Sequence, residues 1–163
     1  MSEGATANER FISACRTDSL DLLSEVLNES TLDVNCTDAM GNPGIHICIQ
    51  QSSTEVLEKL LTLDNFDVDQ VDRMNKNTAL HVACLDLEDI KYTEYIVDSL
   101  LKAGADPNIT NKEGMIPKEL LPNYKEDAAP IKKLLLEAST ARKFAAEVEA
   151  QEEDSDDEGA SSE

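Results

Sequence analysis

One feature constrains this chain more than any other: a pattern that recurs along its length. DVNCTDAMGNPGIHIC, residues 33–48, is echoed by FDVDQVDRMNKNTALHVAC, residues 66–84, and again by ADPNITNKEGMIPKELL, residues 105–121. Each copy opens on Asp-Val or Asp-Pro with an Asn or Asp, crosses a polar turn and enters an apolar helical pattern. His46 and His81 mark the same step of two successive copies, 35 residues apart. Units of this size cannot bury an apolar face alone, so they stack on their neighbours.

The halves that follow repeat as well. LLSEVLN at residues 22–28, VLEKLL at 56–61 and IVDSLLKAGADPN at 96–108 place apolar residues at i, i+1, i+4 and i+5, one face of a helix. A unit is therefore a hairpin-like turn, a short helix and a second helix. Composition agrees: with no Trp and only 4% aromatic residues, the core is built from Leu, Val, Ile and Ala, which suits packed helices better than a β-sandwich.

With these residues in place the chain resembles the ankyrin-repeat family. Thr78, Ala79, Leu80, His81, Val82 and Ala83 stand against the family's Thr-Pro-Leu-His-x-Ala, and Leu100, Leu101, Gly104, Ala105, Asp106 and Asn108 against its Leu-Leu-x-x-Gly-Ala-Asp-x-Asn close. The second unit keeps Asp38, Gly41, Ile45 and His46 but reads Pro43-Gly44 where Thr-Pro is usual. The resemblance implies an all-α solenoid of about four repeats with degenerate caps: a first unit from Phe11 to about Ser30 and a last from Asn108 to about Ala138. In the third unit, Asn75 or Lys76 stands where Gly is usual, and Asn tolerates the left-handed turn. Five residues beyond the family spacing fall in LDLEDIKYTE, which predicts a bulged loop between that unit's two helices. In the fourth, Pro122 cuts the first helix short, as in a cap whose outer face no neighbour covers.

Residues 1–9 read as a disordered N-terminus, 10–140 as the repeat domain and 141–163 as a helical extension running into a disordered acidic tail. The stretch from Ala129 to Gln151 is helical in pattern, with Pro130 near its start and Ile131, Leu134 and Leu135 on its docking face. From Glu147 onward there are nine acids and no base, a composition that does not support a packed core. The whole chain carries 34 acids against 14 bases, a formal net charge of -20, and the part before Glu147 still carries 25 against 14. Such a field repels nucleic-acid phosphates and anionic membranes, and it attracts basic protein surfaces. No basic region followed by an apolar run opens MSEGATANER, so the expected setting is cytosol or nucleus, with Cys15, Cys36, Cys48 and Cys84 as reduced thiols.

The resemblance assigns His81 and His46, with Thr78, Gly41 and Gly104, to the structure of the turns. Cys84 follows His81 by almost one helical turn, but a nucleophilic thiol needs a base in hydrogen-bond reach and His81 is already engaged in its turn. Zinc would want four N or S ligands together, and neither Cys-x-x-Cys nor His-x-x-x-His occurs. No catalytic residue, metal or cofactor is expected, and the chain reads as non-enzymatic.

Function then falls to the surface, where a partner of a repeat stack crosses the turn tips and the exposed positions of the first helices. Met40 and Met74 occupy two tips, and Met is an adaptable contact residue. Gln50, Gln51, Leu85 and Asp86 extend the candidate surface, in competition with a reading in which the Met side chains pack tip against tip. Ser155, followed by Asp156, Asp157 and Glu158, has the context of an acid-directed phosphorylation site. The expected protein is a monomeric module that binds another protein and escorts a basic client, a layout similar to small fungal ankyrin proteins, some of which escort basic ribosomal proteins. The alternative is an adaptor or assembly subunit for a neutral partner, its tail serving solubility alone. A third reading, an enzyme or an inhibitor of one that enters its active site with LDLEDIKYTE, ranks last.

Overall fold

A computed structural model describes residues 4–159, with side chains described as far as Glu152. Seven α-helices follow one another among them: α1 (Ala7–Thr17), α2 (Leu20–Val26), α3 (Gly44–Gln50), α4 (Thr54–Leu60), α5 (Ala79–Leu85), α6 (Ile90–Lys102) and α7 (Ala129–Gly159). Two 3-10 turns, Pro117–Leu120 and Glu126–Ala128, lie between α6 and α7. No β-strand forms among the described residues; one isolated bridge joins Thr37 to Pro43 at a hairpin base.

The inner row runs α1, α3, α5 and the Pro117–Leu120 turn, each packed on the next, while α2, α4, α6 and the start of α7 back them. Residues at one face of each short helix build a single continuous core. Phe11 and Cys15 of α1, Ile45 and Cys48 of α3, and Leu80 and Cys84 of α5 are fully buried, with Leu23, Leu57, Leu60, Ile96 and Leu100 behind them. This is the all-α repeat solenoid expected from the sequence.

Local rules set where helices start. Thr6 caps α1: its hydroxyl accepts the Glu9 N–H at 3.2 Å, and the Glu9 carboxylate accepts the Thr6 N–H at 2.7 Å. The folded body therefore begins before residue 10, and the first unit before Phe11, earlier than both expected boundaries. Gly44 opens α3 because α1 leaves it no room: a Cβ there would stand 2.7 Å from the Phe11 ring and 3.0 Å from the Cys15 sulfur. The Pro43-Gly44 departure thus accommodates a large ring on the neighbouring unit.

The insertion in the third unit does not bulge as expected. Residues 86–89 join α5 to α6, and most of the extra length enters α6, which has 13 residues where α4 has 7. Asp89 caps that longer helix by accepting the Tyr92 N–H at 3.1 Å, and Thr93, Ile96, Val97 and Leu100 give it a buried stripe. Extra residues that carry a cap and a helical stripe join the helix.

At the far end the inner row shrinks to a single 3-10 turn before Pro122, as expected of a cap. Ile131 and Leu135 bury the start of α7 against the stack. Farther along the same face, Ser139 donates to the Asn108 side chain, and Arg142 Nε lies 3.4 Å from Asp106 Oδ2. From Thr140 to Glu152 every residue is exposed. The stretch from Glu147, read from composition as disordered, continues as helix to Gly159. No helix among the described residues is long and apolar enough to cross a membrane.

Candidate functional site

The turn tips and the inner helices form the surface on which partner residues were expected, and two histidines fix its geometry. In the third unit the Thr78 N–H donates to His81 Nδ1 at 3.0 Å, with the Thr78 hydroxyl 2.8 Å from the same nitrogen. His81 Nε2 lies 2.8 Å from the Met115 carbonyl, which can only accept, so Nε2 carries the proton. One ring therefore caps its own helix and ties down the next tip. His46 repeats the second task, donating from Nε2 to the Asn77 carbonyl at 2.8 Å. It has lost the first, because Pro43 has neither N–H nor hydroxyl to offer, and His46 Nδ1 is buried without a partner among the described residues.

Backbone straps complete the row. The Arg73 N–H donates to the Gly41 carbonyl at 3.2 Å and the Lys112 N–H to the Asn75 carbonyl at 2.8 Å. Gly41 is required twice over: its φ is +86°, and a Cβ would fall 2.5 Å from Arg73 Cβ. Gly104 has φ +97° with open space around it, so conformation alone selects it. In the third tip the left-handed residue is Lys76, at φ +57°, and not Asn75. That tip is one residue longer than its neighbours. Asp72 N–H bonds the Asn77 carbonyl five residues on, whereas Asp38 and Asn111 close on Asn42 and Met115 four residues on.

Both nitrogens of His81 are thus committed, and none is left to activate Cys84. Burial pushes the Cys84 thiol up to about 12, and a bond from Cys15 together with burial pushes Cys48 upward as well. These are thiols packed as small apolar side chains, without thiolate character. Among the described residues no group of His, Cys, Asp and Glu is arranged to hold a metal ion.

The residues singled out for partner binding divide in two. Gln50, Met74, Leu85 and Asp86 line one hollow of about 940 Å³ between the third tip, the second turn of α5 and the loop after Pro122. Met40 is exposed on the neighbouring tip and Gln51 follows the last residue of α3; neither lines the hollow. Met40 and Met74 are each 66% exposed, so backbone straps join the tips where Met packing was the competing reading. Sequence reasoning passed over Tyr124, which lines the same hollow at 84% exposure together with Leu120 and Lys125. No periodic pattern contains Tyr124; the signal available was an aromatic beside a cap-ending proline. Ser155 has its side chain outside the described residues.

Comparison with known proteins points the same way as the geometry. The family described as ankyrin repeats, in three copies, matches residues 11–111. Ankyrin repeat-containing protein YGL242C of Saccharomyces cerevisiae is 30% identical over 129 residues, which cover 73% of this chain and 71% of the yeast protein. Putative ankyrin repeat protein YahD of Escherichia coli is 30% identical over 110 residues, 68% of this chain and 54% of that protein. The chain therefore spans most of the yeast relative and about half of the bacterial one.

Proposed function

The chain belongs to the ankyrin-repeat family, whose stacks are protein-interaction modules, and from that premise we propose that it escorts a basic protein client in the cytosol or nucleus as a monomer. The observation that carries this reading is charge: 34 acids face 14 bases over the full sequence. Several of those few bases are also engaged at home, Arg10 by Glu25 and Glu29, Arg16 by Asp38, Lys102 by Asp98 and Arg142 by Asp106. The surplus carboxylates produce a field that draws in cationic surfaces and weakens with salt. In this division of labour the tips and inner helices supply specificity, while the acidic end from Glu147 screens exposed Lys and Arg on the client.

The exposed side chains of Met40, Met74, Leu85 and Tyr124 favour a second reading, an adaptor for a neutral partner whose contacts are apolar and whose tail keeps it soluble. Affinity purification of the full chain beside a version ending at Ala146, at low and high salt with partners identified by mass spectrometry, separates the two. The escort reading expects basic proteins recovered with the tail and lost without it or at high salt. A non-basic complex recovered equally by both versions makes the protein an adaptor. Ser155 fits the escort scheme as a phosphorylation site that deepens the negative field; an unmodified mass for the protein from its native cell removes it.

A further inference from the structure

We propose that the hollow beside the fourth unit receives a short amphipathic helix of the client, apolar on one face and flanked by Lys or Arg. The inference rests on the reading of the protein as a binder of basic partners and gives that partner a shape.

Three observations lead there. The first is a departure between matching positions. Gln50 ends α3 and Leu85 ends α5, the same step after His46 and His81, yet the solvent-facing Gln of one unit is a 60% exposed Leu in the next. Folding gives no reason for that exchange, because neither side chain enters the core. The second is convergence: of the large apolar side chains left exposed, Met74, Leu85 and Tyr124 line this one hollow, from its tip, its floor and its far wall. Exposed apolar side chains that gather in a concavity mark a contact surface more strongly than scattered ones. Tyr124 stands there because the fourth inner element ends after one 3-10 turn, and the chain leaves at Pro122 to form a wall instead of a second helical turn.

The third is charge on the rim. Asp86 and Glu88 line the hollow and form no ion pair among the described residues. Asp72 lies deeper, with its carboxylate accepting the Asn75 N–H at 2.6 Å. Among the described residues Lys125 is the one cation on the lining, so carboxylates outnumber it. A segment carrying Lys or Arg beside its apolar face satisfies both the floor and the rim. The hollow, at about 940 Å³, exceeds a single side chain and has room for a helical turn. The floor it offers is a helix, α5, and not the edge of a sheet, so an extended strand would find no ladder to join. A helix brings its backbone bonds with it and needs only side-chain contacts.

The test uses the full chain, labelled with nitrogen-15, and three synthetic peptides of about four helical turns each. One is a Lys, Leu and Ala helix with Leu at i, i+3, i+4 and i+7; the second replaces every Lys with Glu; the third scrambles the first so that no apolar face forms. The first peptide is expected to shift the amides of residues 85–88, 120, 121 and 123–125, and the other two to leave them in place. Leu85→Gln, which copies the second unit, and Tyr124→Ala should each weaken that binding by about tenfold with the melting temperature unchanged. Shifts confined to the acidic end, equal binding of the Glu peptide or the scrambled one, or unaltered affinity in both variants overturns the proposal. Those outcomes leave the escort reading standing if basic proteins are still captured through the tail. Peptide binding in the hollow without any tail-dependent capture of basic proteins defeats the escort reading and keeps the hollow.

Discussion

His46 and His81 stand at the same step of neighbouring inner helices, yet His81 is held at both ring nitrogens and His46 at one. The bond that both retain is the one between units, from Nε2 to a carbonyl of the next tip. The bond that only His81 makes is local, the cap on its own helix through Thr78. The second unit gave up the local bond where Pro43 and Gly44 let Phe11 pack close, and it kept the long-range one. In a stack whose stability is a sum of units and interfaces, the interface bond is the harder one to replace. The end units show the converse. Glu9 and Glu119 stand at the His step of the first and fourth units and cap their own helix starts, accepting from Thr6 at 2.7 Å and Ile116 at 2.8 Å.

The largest effect should come from removing the doubly held ring. His81→Ala strands the Thr78 N–H in a buried site, takes from the Met115 carbonyl one of its two bonds while the Asn111 N–H remains, and leaves a cavity, a cost of about 3 kcal/mol. His46→Ala leaves the Asn77 carbonyl its bond from the Asp72 N–H, strands no donor and removes an already orphaned nitrogen, so with one bond and a cavity lost it should cost roughly half as much. Urea unfolding of the two variants measures the difference. Equal losses would mean that the Thr78 cap contributes nothing and would break the comparison.

The His pair also shows how far the sequence could be read. Thr78 through Ala83 and the Leu100 to Asn108 close revealed the solenoid, its repeat count and the structural role of both histidines, because each depends on local pattern. The T-x-x-E box of Thr6 and Glu9 was equally local and was passed over, which placed the start of the body too late. The destination of the extra residues in LDLEDIKYTE depended on Asp89 acting as a cap, a choice made by a helix whose buried stripe lies farther along the chain. Lys76 took the left-handed position because the third tip closes five residues on from Asp72, a register visible only in the bonded turn. The candidate surface was half legible. Gln50, Met74, Leu85 and Asp86 share periodic positions and converge, whereas Tyr124 arrives by tertiary packing from a segment with no period at all.

Protonation tests both rings at once, with a smaller effect. Burial holds His46 and His81 below the ordinary imidazole value, against the opposing pull of their carbonyl partners and of Asp72, while each ring is neutral in its bonds. The unfolded chain therefore takes up protons first as acidity rises. The stability that the neutral rings contribute is whole above about pH 6.5 and is lost progressively as pH falls below it toward their lower folded values. Melting temperatures measured from about pH 7.5 down to about pH 5.5 should fall for the native chain. The fall should shrink in each single Ala variant and vanish in the double one. A slope that survives in the double variant would assign the dependence to other groups.

The smallest effect is also the most specific. Pro43→Thr restores to the second unit the donor that Thr78 supplies in the third, giving His46 Nδ1 an N–H or a hydroxyl. Pairing a buried acceptor contributes about 1 kcal/mol, and losing proline's restriction of the unfolded chain takes back roughly half of it, so the net gain is a few tenths. The sign is more telling than the size when the substitution is repeated in a His46→Ala background. With no ring nitrogen left to receive the donor, only the proline effect remains, and Pro43→Thr should turn from stabilising to destabilising. A substitution of the same sign in both backgrounds would show that the missing cap is not what separates the second unit from the third.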